Sequence, residues 1–135
     1  MSHKIIKIYT DGGARGNPGP AAIGIVIKDE HDQIIKTHAE AIGHATNNVA
    51  EYSAIIKALE IAKKLEPTEI HCYLDSELVV KQLRQEYKVK DPDLQKLFVK
   101  VWNLKLGYKK IFFTHIRREL NYEADKLLNL ELDRL

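Results

Sequence analysis

The sequence has 135 residues, 44% hydrophobic and 30% charged, with 21 lysines and arginines against 19 acids for a net charge of +2. That length and composition predict one globular domain over residues 1–135, with a core of its own and no apolar run near the roughly 18 residues that span a bilayer. The near-balanced charge does not demand a polyanionic partner, so any nucleic-acid binding must come from local placement of cations or from bridging metal ions.

The chain opens on Met1-Ser2-His3-Lys4 with no signal-peptide core, and Lys4 to Tyr9 (KIIKIY) reads as a first strand. Asp11 closes that strand, and four glycines and two prolines follow within nine residues, from Gly12 to Pro20. Glycine permits close backbone approach and proline forbids helix, so a loop is expected to hold the Asp11 carboxylate beside exposed main chain. Taken alone, an aspartate in such a turn more often bonds its own backbone. Ala21 to Lys28 (AAIGIVIK) and Gln33 to Ala41 (QIIKTHAEA) are the second and third strands, joined by a polar turn at Asp29 to Asp32 into an antiparallel meander. Gly43 to Asn48 reads as a loop.

A helix is expected from about Val49 to Leu65, with Ile55, Ala58, Leu59 and Ala62 as its apolar stripe and Pro67 as its stop. Glu51 shares the inward side of that stripe. Its bland reading is one half of a capping box, Asn48-x-x-Glu51. Glu69 to Leu74 (EIHCYL) is a fourth strand, with Ile70, Cys72 and Leu74 on one face. Cys72 is the only cysteine and cannot form an internal disulfide, which predicts a reducing, cytoplasmic compartment. Asp75 follows and suits an N-cap for a helix over Ser76 to Leu83. After a polar break at Lys88 to Asp93, a helix from Pro92 to about Leu104 carries Leu94, Leu97, Phe98, Val101 and Trp102 as core residues. Lys110 to Ile116 (KIFFTHI) is a fifth strand. Asn121 can cap a last helix, Tyr122 to about Arg134, with Asp125 in its first turns.

The order β-β-β-α-β-α-α-β-α predicts an α/β fold, a mixed five-stranded sheet of three antiparallel and then two parallel strands flanked by helices. Ligands of such sheets gather outside the carboxyl ends of parallel strands. Asp11, Glu51, Asp75 and Asp125 can converge there. Four carboxylates in one pocket raise one another's pKa unless a cation sits among them. An all-oxygen set suits Mg²⁺ or Mn²⁺ rather than zinc, and two such ions can serve in-line displacement at phosphorus.

Four motifs decide between caps and ligands. The stretch YTDGG at 9–13 with GNPGP at 16–20 resembles the first motif of type 1 ribonuclease H, or ribonuclease HI. Thr46-Asn47-Asn48-x-x-Glu51 resembles the second, Asp75-Ser76 the third, and Arg118-Glu119-x-Asn121-x-x-Ala124-Asp125 the fourth. The resemblance covers essentially the whole chain and implies the ribonuclease H-like fold. It also implies an endoribonuclease that cuts the RNA strand of RNA–DNA hybrids and leaves 5′-phosphate and 3′-hydroxyl ends. By the same resemblance, Asp11, Glu51, Asp75 and Asp125 are catalytic and ligate two Mg²⁺ ions, with Mn²⁺ a substitute. Gly12, Asn17, Thr46, Asn47, Asn48 and Ser76 bind substrate: the asparagines read 2′-hydroxyls and Thr46 grips a DNA-strand phosphate. Amide groups match 2′-hydroxyls chemically, and the 2′-hydroxyl is what separates RNA from DNA. The expected partner is the hybrid, and the expected state a monomer.

The chain departs from the family pattern as a short form. Only Gln85 to Asp91, with Lys88 and Lys90, stands where a long basic protrusion is usual, and no hybrid-binding module precedes the first strand. His115 has the sequence distance of the family's mobile histidine but falls in the fifth strand, which leaves Glu119 or Arg118 for product release. The alternative from another class is a ribonuclease H-like module that binds nucleic acid with weak or no cleavage. A nuclease for branched DNA or double-stranded RNA is a third reading.

Overall fold

A computed structural model of the protein describes residues 4–135; the expectation of no signal-peptide core, read on Met1 to Lys4, falls on residues of which the first three lie outside them. Three antiparallel strands come first: β1 (Ile5–Ala14), β2 (Gly19–Asp29) and β3 (Ile34–Ala45). The hairpin between β2 and β3 closes because the Asp29 carboxylate accepts from the backbone N–H of His31 and Gln33, at 2.8 and 3.0 Å. Then come α1 (Asn47–Ala62), β4 (Glu69–Leu74), α2 (Glu77–Leu83), α3 (Pro92–Lys105), β5 (Lys110–His115) and α4 (Tyr122–Asp133). Single 3-10 turns at Lys63–Leu65 and Arg118–Asn121 extend α1 and lead into α4. The sheet order is β3-β2-β1-β4-β5, with β1–β4 and β4–β5 parallel.

Helices cover both faces. On one, α1 buries Tyr52, Ala54, Ile55, Ala58 and Leu59 against Ile6, Ile8, Ile70, Cys72 and Leu74 of the central strands. On the other, α4 lays Leu128 and Leu132, four residues apart, over Ala22. That double cover explains why β2 is buried without interruption from Ala21 to Ile27. Two glycines let the helices approach. A Cβ on Gly12 would overlap the Ala50 carbonyl of α1, and a Cβ on Gly24 would overlap the Ala124 carbonyl of α4.

Several local expectations are corrected. β1 does not end at Asp11. Pairing with β2 carries it on to Ala14, four residues past Thr10, the last of its residues to pair with β4. For the same reason β3 reaches Ala45, so half of the expected loop at Gly43 to Asn48 is strand, and its last two residues open α1. The helix α1 begins at Asn47 rather than Val49, and its cap is Thr46, whose Oγ1 accepts from Val49 N at 3.2 Å; Asn48 caps nothing. Asp75 is not a cap either, because Ser76 Oγ takes that role for α2, 3.3 Å from Val79 N. Asn121 stands at the start of α4 without a side-chain cap bond. On α3, Leu94 and Val101 are buried, but Trp102 lies outside the core, stacked on Phe98 with Lys105 over its ring. It is one residue past the buried Val101, and 100° around the helix takes it out of the packed stripe.

Candidate active site

The site lies where β1 outruns β4. The last parallel pair is Thr10 with Leu74, so Asp11, still in β1, and Asp75, just past the end of β4, come next side by side. The start of the second turn of α1 places Glu51 beside them, and the first turn of α4 brings Asp125. All four acids line one cavity of about 440 Å³. Asp11, Glu51 and Asp75 each offer one carboxylate oxygen, and those oxygens lie within 4.8 Å of one another.

The pocket is crowded with like charge. Burial, and then the charge of Asp75, push the Asp11 carboxyl up to about 7. Burial and the charge of Asp11 hold Glu51 well above the usual carboxylate range. Glu51 Oε1 accepts from Gly12 N at 3.3 Å, whereas its Oε2 is buried with no partner. A buried carboxylate oxygen without a donor is costly, and a cation would relieve both that and the mutual repulsion. The donor set fits a hard divalent ion.

The expected substrate residues divide into two groups. Gly12, Asn47, Asn48 and Ser76 line the cavity with the acids; Asn17 and Thr46 sit beside it. A chain of bonds fixes this rim: Asn17 Oδ1 accepts from Asn47 N at 3.0 Å, and Asn47 Oδ1 accepts from Ala14 N at 2.9 Å. Both amide oxygens are thus engaged internally, which leaves the NH₂ groups to act as donors. Asn121 is marked by the sequence as a possible cap and as a member of the fourth motif, without a role of its own in the site. It is 1% exposed, and its Nδ2 donates to the Thr10 carbonyl at 2.8 Å and to Asp75 Oδ2 at 3.0 Å. Its position four residues before Asp125 was the available signal, since residues i and i+4 share a helix face. Arg118 Nη2 lies 3.9 Å from Asp125 Oδ1 at the cavity mouth. His115, the last residue of β5, has its Nδ1 4.0 Å from Glu77 Oε2 and does not line the cavity.

Comparisons with known proteins match the sequence and the fold. A family model described as reverse transcriptase-like matches residues 9–130. The chain is 42% identical over 128 residues to ribonuclease HI of Halobacterium salinarum, covering 95% of this chain and 64% of that protein. The crystal structure of ribonuclease H1 from that archaeon superposes with a TM-score of 0.94 at 41% identity, over 97% of this chain and 99% of that one. The chain belongs to the type 1 ribonuclease H family. LC11-RNase H1, solved in complex with an RNA/DNA hybrid, is 47% identical with a TM-score of 0.91, covering 96% of this chain and 97% of that one. The bifunctional protein Rv2228c of Mycobacterium tuberculosis is 43% identical over 129 residues, 95% of this chain but 35% of that protein. This chain therefore spans about a third to two thirds of the curated relatives it matches most strongly. Ribonucleases H are metal-dependent, and the Asp11, Glu51 and Asp75 cluster has the spacing to hold a cation. Among the described residues, no helix is long and apolar enough to cross a membrane.

Proposed function

We propose that this chain is an endoribonuclease that hydrolyses the RNA strand of RNA–DNA hybrids, acting as a cytoplasmic monomer and leaving 5′-phosphate and 3′-hydroxyl ends. The observation that carries this reading is the four-acid cavity rimmed by amide donors. Asp11, Glu51, Asp75 and Asp125 would hold two Mg²⁺ ions, with Mn²⁺ able to replace them. Such ions supply stabilisation of charge on the attacking and leaving oxygens of a phosphodiester.

The chain's own residues select and orient the substrate. Asn17, Asn47 and Asn48 donate from their amide groups to 2′-oxygens, which DNA lacks. Gly12 and Ser76 line the cavity beside the acids and meet the strand there, with Ser76 Oγ already engaged by Val79 N. Thr46 Oγ1 accepts a backbone N–H, so its hydroxyl proton is free to meet a DNA-strand phosphate at the α1 amino terminus, an end that favours anions. Asn121 holds the Asp75 carboxylate in place by the bond described above.

The reading that competes is a nucleic-acid-binding module without cleavage. All four acids facing one cavity speak against it. The deciding experiment incubates the protein with labelled hybrid, double-stranded RNA and duplex DNA, each with Mg²⁺, Mn²⁺ or chelator. The expected result is cleavage of the hybrid alone, abolished by chelator. Binding of hybrid without cleavage under every metal condition would establish the competing reading.

A further inference from the structure

The free edge of β5 carries features that hybrid cleavage does not use. It ends the sheet order, and among the described residues no strand pairs with its outer side. Ile116 N donates to Leu74 O at 2.9 Å, so strand alternation turns the backbone groups of Thr114 and Phe112 toward β4. Those of Ile111, Phe113 and His115 then point outward. Two clefts, about 340 and 360 Å³, follow this edge on the helix side, between β5 and the ends of α2 and α3.

Arg84, Lys105, Lys109 and Lys110 line these clefts, and among the described residues no acid does. Arg84 already pairs with Glu86 at 2.8 Å, whereas Lys109 and Lys110 make no ion pair among the described residues. On the opposite face of the strand, Phe112 is 48% exposed and stacks on His71 with centroids 5.1 Å apart. Phe112 also lines both clefts, and Lys110, two residues before it, shares its face of the strand, so cations flank the edge on both faces.

We propose that the β5 edge docks an extended acidic segment of a partner protein as a sixth strand, its acids meeting the cations that flank the edge and its apolar residues meeting Phe112. Strand addition draws affinity from main-chain hydrogen bonds and specificity from alternate side chains, and this edge offers both. Lysine on an edge strand deters unwanted pairing, but that deterrence is selective: it repels basic edges and attracts acidic ones. A second copy of this chain is disfavoured, because edge-to-edge pairing would bring two such cationic rows together. Single-stranded nucleic acid matches the charge but has no row of amide donors and acceptors at strand spacing. The proposal is independent of the cleavage reaction.

The test uses a fluorescent peptide alternating glutamate and valine, long enough to cover the roughly 20 Å of a six-residue strand. Binding is followed by anisotropy and by residue-resolved amide exchange. The expected result is slowed exchange at Ile111, Phe113 and His115. Lys105→Glu weakens binding by at least about tenfold while hybrid cleavage keeps its wild-type rate. A peptide N-methylated on alternate residues loses binding by a similar factor, because its backbone can no longer pair. Equal affinity of the N-methylated peptide overturns the proposal, as does protection mapped elsewhere. Oligo-thymidine protecting the same three amides, or protection that grows with protein concentration alone, overturns it in favour of nucleic acid or self-association.

Discussion

Asp75 is the residue at which a structural and a chemical role separate most cleanly. Capping of α2 belongs to Ser76, so Asp75→Asn removes no cap, and the new amide still offers an oxygen to Asn121. Hybrid cleavage is predicted to fall roughly a thousandfold or more, about 4 kcal/mol of lost transition-state stabilisation. The metal-free melting temperature is predicted to hold or rise, since one repulsive carboxylate has gone. Near-normal cleavage by this variant would remove Asp75 from the chemistry. The pH behaviour of the metal-free protein follows from Asp11. Its carboxyl binds a proton more tightly folded, at about 7, than at its ordinary value of 3.8. A raised acid contributes stability that is full below the unfolded value and is lost as pH rises through the folded one. Metal-free melting temperature is therefore predicted to fall between about pH 4 and pH 7, and Asp11→Asn to flatten that fall. Equal slopes for the two proteins would contradict the burial of this carboxyl.

At the scale of elements, the acids are aligned by how closely the helices sit on the sheet. Gly12 and Gly24 admit the backbones of α1 and α4 from opposite faces. Gly12→Ala is predicted to cost about 1–3 kcal/mol by overpacking and to reduce cleavage well beyond that loss, because it lifts Glu51 away from Asp11. Cleavage measured far below the melting temperature checks this, and an unchanged rate would show that Glu51 tolerates the shift. The elements themselves were legible in the sequence where one periodicity ruled. EIHCYL alternates and is a strand with Ile70, Cys72 and Leu74 inward; the Ile55, Ala58, Leu59 and Ala62 stripe is the face of α1 that packs. Legibility failed where tertiary partners decide. Nothing local says that Gly12 and Gly13 remain in β1, since β2 extends the strand there. Three residues before the first helix can cap, and only the path of the chain selects Thr46 over Asn48. The four acids were legible as a set through their motifs, and Asn121 as a member of the fourth, but its hold on Asp75 was not, because its partners lie 46 and 111 residues away.

For the whole molecule, charge and rim geometry set how substrate is held. With Lys88, Lys90, Arg117 and Arg118 exposed and no long basic protrusion, roughly three phosphates are neutralised, which predicts a slope of log K on log salt of about −3. A slope near twice that steepness would reveal a cationic surface engaged elsewhere. The rim also predicts what is cut. Asn17, Asn47 and Asn48 are placed to meet successive 2′-hydroxyls, so a lone ribonucleotide in duplex DNA should be cleaved poorly beside a continuous RNA strand. Comparable rates on the two substrates would mean that the rim does not read the sugar.

The fully buried Cys72 on β4 has a use of its own. Burial pushes its thiol pKa up and shields it from reagents, and it is the only sulfhydryl in the sequence. Modification by a thiol-reactive dye therefore requires the central strand to open, so the labelling rate times the population of opened molecules. The unaltered chain carries its own stopwatch for unfolding, and divalent cation should slow it in proportion to the occupancy of the acidic cavity.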